Sequence, residues 1–215
     1  MRDESSPTEP RAPTVLEWAR KVHAIAHNGL SFAQDPFDRE RYQKLQELTD
    51  RMLASELQLP LAESQALWRT EEGYATPKVD VRGAVFKDDA VLLVRERSDG
   101  KWSMPGGWVD VNDSPSGAVE REIREESGYQ AKAVKLAALF DRQRHPHPPS
   151  LYHIYKLFFL CDLLGGAPTM SAETDGADFF PLNRLPELST GRIARTQIER
   201  MYEHYKNRNL PTDFD

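Results

Sequence analysis

The sequence holds 215 residues, 39% hydrophobic and 29% charged, room for one substantial domain plus an accessory element, since domains run roughly 100 to 200 residues. A formal net charge of −6 argues against general nucleic-acid binding, whose footprint is a basic patch and a high pI. No apolar run approaches the roughly 18 residues of a membrane-spanning helix, because Lys156 and Asp162 bracket the longest candidate, and a single cysteine, Cys161, cannot close an internal disulfide.

Residues 1–13, "MRDESSPTEPRAP", are acidic and proline-rich with no apolar core of a secretory signal; a disordered tail and a cytoplasmic location are expected. From Thr14, a candidate N-cap, Leu16, Ala19, Val22, Ile25 and Ala26 recur at helical spacing, and Asn28-Gly29 is expected to stop that helix. A second helix opens at Asp35-Pro36 and carries Tyr42, Leu45, Leu48, Met52 and Leu53 on one stripe. Such a helical hairpin cannot hide both apolar stripes alone, so it calls for packing on the main domain or on a second copy. Signals between Pro60 and Pro77 are mixed and read as a connector, which makes 14–75 a helical extension with its linker.

Residues 76–208 form the main domain, and 209–215 are expected to be a C-terminal tail. The period changes to that of strands in "KVDVRGAVF" and "AVLLVRE", and "RSDGKW" supplies an Asp-Gly turn. A loop and helix follow, then strands at "AKAVKLAALFDRQ", "LYHIYKLFFLCDLL" and "ADFFPL", and a closing helix over Ile193–Tyr205. Strands flanked by helices describe an α/β sandwich with a mixed sheet.

The helix after the loop runs from about Pro115 to Ser127, with Ser114 as N-cap and Gly128 as C-cap. It sets Glu122, Glu125 and Glu126 on neighbouring parts of one face, where each like-charge pair costs roughly 0.2–0.5 kcal/mol. A solvated face salt-bridged by Arg121 and Arg124 is the simpler reading of the charge pattern alone. A divalent cation is the functional one, since Mg²⁺ and Mn²⁺ favour carboxylate oxygens and often sit with substrate phosphates.

The whole element, Gly107, Asp113, Arg121, Glu122, Ile123, Glu125, Glu126, Gly128 and Tyr129 over 23 residues, resembles the signature of the Nudix hydrolases. That resemblance implies a Nudix α/β/α sandwich with a mixed sheet, preceded here by the helical hairpin. It implies that Glu122, Glu125 and Glu126, with Gly107, hold Mg²⁺ or Mn²⁺, and that Glu125 takes part in activating the water that attacks phosphorus. Arg121 is the signature arginine that steadies loop and helix, and it is counted with the catalytic set. Asp113 stands where the family has Glu, and Tyr129 where it has an aliphatic residue. Many Nudix enzymes take a further acid from a late loop, and Glu173 in "ETDG" is the candidate here.

Arg95, Arg97, Arg142 and Arg144 are candidates for phosphate contact, Arg being suited to bidentate recognition; a solvated strand-edge charge is the simpler reading of any one of them. "HPHPP" with His153 and Cys161 matches no standard zinc spacing. The helical extension and "DRQRHPHPPSLYHIYKLFFLCDLLGG" resemble a bacterial Nudix subgroup that includes CDP-choline pyrophosphatases. This likeness implies a homodimer through the extension and a nucleoside diphosphate linked to another group as substrate, cleaved to a nucleoside monophosphate. ADP-ribose or nucleotide-sugar hydrolysis, RNA-end processing and a non-catalytic nucleotide-binding module stay open.

Overall fold

The computed structural model describes residues 14–68 and 74–215; the expectation for residues 1–13 lies outside them. The chain divides into two compact units, one running to Thr76 and taking in Pro149–Leu151, the other formed by Pro77–Pro148 and Tyr152–Asp215.

In the first unit α1 (Val15–Phe32) opens on a reciprocal cap. The Glu17 N–H donates to Thr14 Oγ1 at 3.2 Å and the Thr14 N–H to Glu17 Oε2 at 2.6 Å. Leu16 and Ala19 meet Leu53 of α2 (Pro36–Leu57) in a small core. Helix α2 starts as its sequence directs, with Asp35 accepting the Phe37 and Asp38 N–H groups at 2.9 and 3.0 Å. The expected stop at Asn28-Gly29 is not observed, because α1 continues to Phe32. A Cβ on Gly29 would fall 2.4 Å from the Tyr42 ring, so this glycine lets the helices approach closely, and Asn28 Oδ1 accepts the Ala75 N–H at 2.8 Å. The connector contains a helix, α3 (Leu61–Trp68), whose first turn hangs on the Pro60 carbonyl. Trp18, Ile25, Phe32, Phe37, Leu45 and Leu48 remain exposed; Ile25, Leu45 and Leu48 belong to the apolar stripes that the hairpin cannot hide by itself.

The second unit is a seven-stranded mixed sheet ordered β3-β2-β1-β5-β4-β7, with β6 also pairing β2. Its strands are β1 (Lys78–Lys87), β2 (Ala90–Glu96), β3 (Trp102–Ser103), β4 (Tyr129–Asp141), β5 (Ile154–Gly166), β6 (Thr174–Pro181) and β7 (Asp213–Phe214). β1 and β5 run parallel, which sets Asp80 beside Lys156, and β4 is antiparallel to β5. Alternation along β1 sends Val81 and Val85 into a cluster under α4 (Pro115–Ser127), and Ala84 and Phe86 into one under α5 (Arg195–Lys206). One helix thus covers each face, and the α/β/α layering is that of the expected Nudix sandwich.

Two of the boundaries that differ from the sequence reading have a visible cause. Asp141 ends β4 by capping the Gln143 N–H at 3.0 Å, and Arg142–Arg144 turn as a 3-10 helix. Residues 209–215 are not a bare tail, because Asp213 and Phe214 pair with Ala138 and Leu139 of β4 as a parallel strand. Asp213 accepts from Arg200 Nε and Nη2 at 2.5 and 2.7 Å and faces His204 Nε2 at 2.9 Å.

Candidate active site

Helix α4 carries the acidic face, and its ends are fixed as the sequence directs. Ser114 Oγ accepts the Gly117 N–H at 3.1 Å, and Gly128 adopts the left-handed conformation at φ 77°. Glu126 projects inward, is 4% exposed, and accepts the Gly106 N–H at 2.8 Å. Only glycine suits position 106: φ is 144°, and a Cβ would sit 2.0 Å from the Val81 carbonyl oxygen. Arg121 stands between the other two glutamates, donating to Glu122 Oε1 at 2.8 Å and to Glu125 Oε2 at 3.2 Å. Its second nitrogen reaches Asp113 at 3.4 Å, so the shorter acid still meets its arginine.

Gly106, Arg121, Glu122, Glu125 and Glu126 line a cleft of about 680 Å³. Glu173 joins them from the loop before β6. Its N–H donates to Ser171 Oγ at 3.1 Å, and the neighbouring Thr174 Oγ1 donates to the Glu126 carbonyl at 2.6 Å, which ties the loop to α4. Of the sequence candidates, Gly107, Arg121, Glu122, Glu125, Glu126, Arg142 and Glu173 line the cleft. Arg95, Arg97 and Arg144 do not line it. Arg95 pairs with Asp175 at 2.6 Å, Arg97 Nε donates to the Ser171 carbonyl at 3.1 Å, and Arg144 is exposed.

The sequence reading missed the cleft's buried charges. Asp80 accepts from Arg82 Nε and Nη2 at 3.0 and 2.6 Å and from Lys156 Nζ at 2.5 Å. Burial opposes charge on Asp80, yet the Arg82 and Lys156 charges hold its carboxyl below the usual range. Lys156 is 2% exposed, and burial brings its pKa down to about 8 despite Asp80. Glu96 and Arg192 also line the cleft, 3.2 Å apart. The signal for Asp80 and Arg82 was opposite charge two apart in a strand, which alternation assigns to one face.

Burial pushes the Glu126 carboxyl up to about 8, against the pull of Arg82 and the Gly106 N–H, and it also raises Glu122 and Glu96. The carboxylates gathered on the α4 face are hard oxygen donors, and that chemistry fits Mg²⁺ or Mn²⁺. Gly107 adds a carbonyl oxygen that accepts the Val81 N–H at 2.9 Å and keeps a second lone pair. Among the described residues no three acidic, His or Cys side chains are already drawn into a cage; a cation here competes with Arg121 for Glu122 and Glu125.

Carboxylates of one helix and buried cations lining a single cleft suit the hydrolysis of phosphate anhydrides, and comparison with known proteins gives that class. Residues 76–201 match the NUDIX domain, and residues 13–68 match a domain described as UDP-X-like, N-terminal oligomerisation domain. The chain is 42% identical to the putative ADP-ribose pyrophosphatase YjhB of Bacillus subtilis over 200 residues, 93% of this chain and 96% of that one. Among solved structures, a UDP-X diphosphatase is 35% identical with a TM-score of 0.62, covering 94% of this chain and 98% of that one. An ADP-ribose pyrophosphatase from Streptococcus suis is 38% identical with a TM-score of 0.61, over 65% of this chain and 100% of that one. The chain belongs to the Nudix hydrolase family and is a pyrophosphohydrolase.

Proposed function

We propose that the protein hydrolyses the pyrophosphate linkage of a nucleoside diphosphate joined to a second moiety, releasing a nucleoside monophosphate and the phosphorylated partner. The observation that carries this is the cleft itself, acidic on its α4 wall and cationic along Arg82, Arg142, Lys156 and Arg192, as a bridging diphosphate with its cation requires. The relatives named for ADP-ribose and UDP-X favour those substrates first, with CDP-choline-like compounds next.

Glu122, Glu125, Glu126 and the Gly107 carbonyl would hold Mg²⁺ or Mn²⁺. When bound, the ion neutralises phosphate charge and makes water more acidic. Glu125, the most open of the three at 52% side-chain exposure, would take the proton of the attacking water, with Glu173, which lines the same cleft, as the further acid. Arg142 and Arg192 orient the phosphates, and Arg121 keeps α4 and its loop in register through Asp113. The exposed Trp18, Phe32 and Phe37 suit a homodimer formed through the helical unit. No helix among the described residues is long and apolar enough to cross a membrane, and a single buried thiol at Cys161 suits the cytoplasm.

The test is a panel of ADP-ribose, UDP-sugars and CDP-choline with Mg²⁺ or Mn²⁺, reading released monophosphate. Cleavage that stops in excess EDTA supports the proposal; absence of monophosphate from every compound with either metal sinks it.

A further inference from the structure

We propose that Trp108 is the platform on which the nucleobase of the substrate stacks. This rests on the nucleotide reading above and extends it to an aromatic side chain that lines the same cleft. Residues 107–109 run as an extended segment beside β1: the Val81 N–H donates to the Gly107 carbonyl at 2.9 Å, the Val109 N–H to the Val79 carbonyl at 3.1 Å, and Trp108 bridges Asp80. Successive side chains of such a segment point to opposite sides. Val109 packs in the cluster under α4, and Trp108 therefore lies on the side of Asp80, lining the cleft.

The backbone is held, yet the indole is 48% exposed and joins neither core cluster of this unit. A large aromatic surface left open inside a polar cleft is an unmet apolar demand. The Tyr152 ring meets it at 6.3 Å and 85°, and Lys78 Nζ lies 5.9 Å from the Tyr152 centroid; this edge contact sets the indole's orientation while half its surface stays open. Ile154 adds the apolar wall, and Lys156 and Arg142 the polar one.

Spacing supports the assignment. Gly106, whose N–H binds Glu126, is two residues from Trp108, and two residues of extended chain span about 7 Å at most, on the order of the ribose that separates a base from its first phosphate. A base joined through its ribose to a phosphate near the carboxylates is thus within reach of the indole. Every base has a π-face, so the platform accepts nucleotides as a class and leaves discrimination among bases to their edges.

The experiment compares wild type, Trp108→Leu and Trp108→Phe on ADP-ribose, UDP-glucose and a base-free pyrophosphate diester of two riboses. Loss of one base–aromatic stack corresponds to roughly a tenfold to hundredfold rise in KM for both nucleotides in the Leu variant, with kcat changed far less. Phe should restore KM to within about threefold, and the base-free diester should respond far less than the nucleotides. A nucleotide KM unmoved by Leu, or a base-free substrate weakened in step, overturns the proposal. Calorimetric binding of AMP against ribose 5-phosphate reads the platform without hydrolysis. Weaker AMP binding by the Leu variant, with ribose 5-phosphate unaffected, supports the platform even if no compound is cleaved; equal AMP binding by both proteins refutes it.

Discussion

Replacing Asp80 by Asn tests whether the floor of the cleft is a coupled charge cluster. The side chain keeps its size but loses its charge, so Arg82 and Lys156, at 5% and 2% side-chain exposure, are left without their shared anion. Removing one partner from a buried ion pair costs about 3–5 kcal/mol, most of it the desolvation of the charge left behind. Asn still accepts a hydrogen bond, which favours the lower half of that range. For a chain of this size each kcal/mol moves the midpoint about 2–4 °C, so thermal unfolding followed by circular dichroism should shift down by roughly 6–15 °C.

The pH dependence has a definite sign. Lys156 has a folded pKa lowered from 10.5 to about 8, so its charge costs stability below about pH 8, and that cost fades as pH rises toward 10.5. Without Asp80 the lysine should release its proton at still lower pH, and the gap between variant and wild type should narrow on going from pH 7 to pH 9. Adding Lys156→Met should recover part of the loss, because a neutral stem replaces the stranded cation. A shift below about 2 °C for Asp80→Asn, or strictly additive effects in the double variant, would refute the coupling.

Glu126→Gln should lower turnover by about 10²-fold or more while folding is preserved, whereas Glu63→Gln, outside the cleft, should leave turnover unchanged; near-normal activity in the first removes Glu126 from the proposed metal site. Asp213→Asn should cost about 1–2 kcal/mol at pH 7 after allowance for partial exposure. Arg200, against the opposing pull of burial and with help from His204, holds the Asp213 carboxyl at about 2, below its usual 3.8. That stabilisation is complete above pH 3.8 and is lost as pH falls through 2, so urea midpoints of variant and wild type should converge between pH 4 and 2. Trp18→Glu with Phe32→Glu should turn a dimer into a monomer in light scattering; a wild-type chain already monomeric at micromolar concentration would contradict the helical interface.

What the sequence disclosed and what it hid follow one physical line. Local chemistry was legible: Thr14, Asp35, Ser114 and Gly128 cap the helices they were assigned to, because a cap is decided by neighbours a few residues away. The acidic face was legible because helical spacing fixes which residues share a side. Gly29 misled because a glycine that admits Tyr42 looks the same in sequence as one that ends a helix. Asp80, Arg82 and Lys156 stayed hidden because their burial depends on the parallel pairing of β1 with β5, strands separated by more than sixty residues. Arg95 and Arg97, which do not line the cleft, pair with Asp175 and the Ser171 carbonyl, and alternation cannot tell such charges from ligand contacts. The two-residue β7 has too short a period to register at all.

That last strand bears on what the margin of the sheet offers to other chains. An open outer strand offers unpaired backbone groups to any other extended chain, and short or charged covering elements are among the ways proteins block such templating. β7 lies along part of β4 and brings Asp213 and Asp215 with it, Asp215 accepting the Asp141 N–H at 2.6 Å. Its removal would expose this stretch of β4 to strand-by-strand growth between molecules, a route to fibrous or irregular aggregates. A small acidic strap at the sheet's margin therefore discourages the unlimited kind of self-association that an open strand invites.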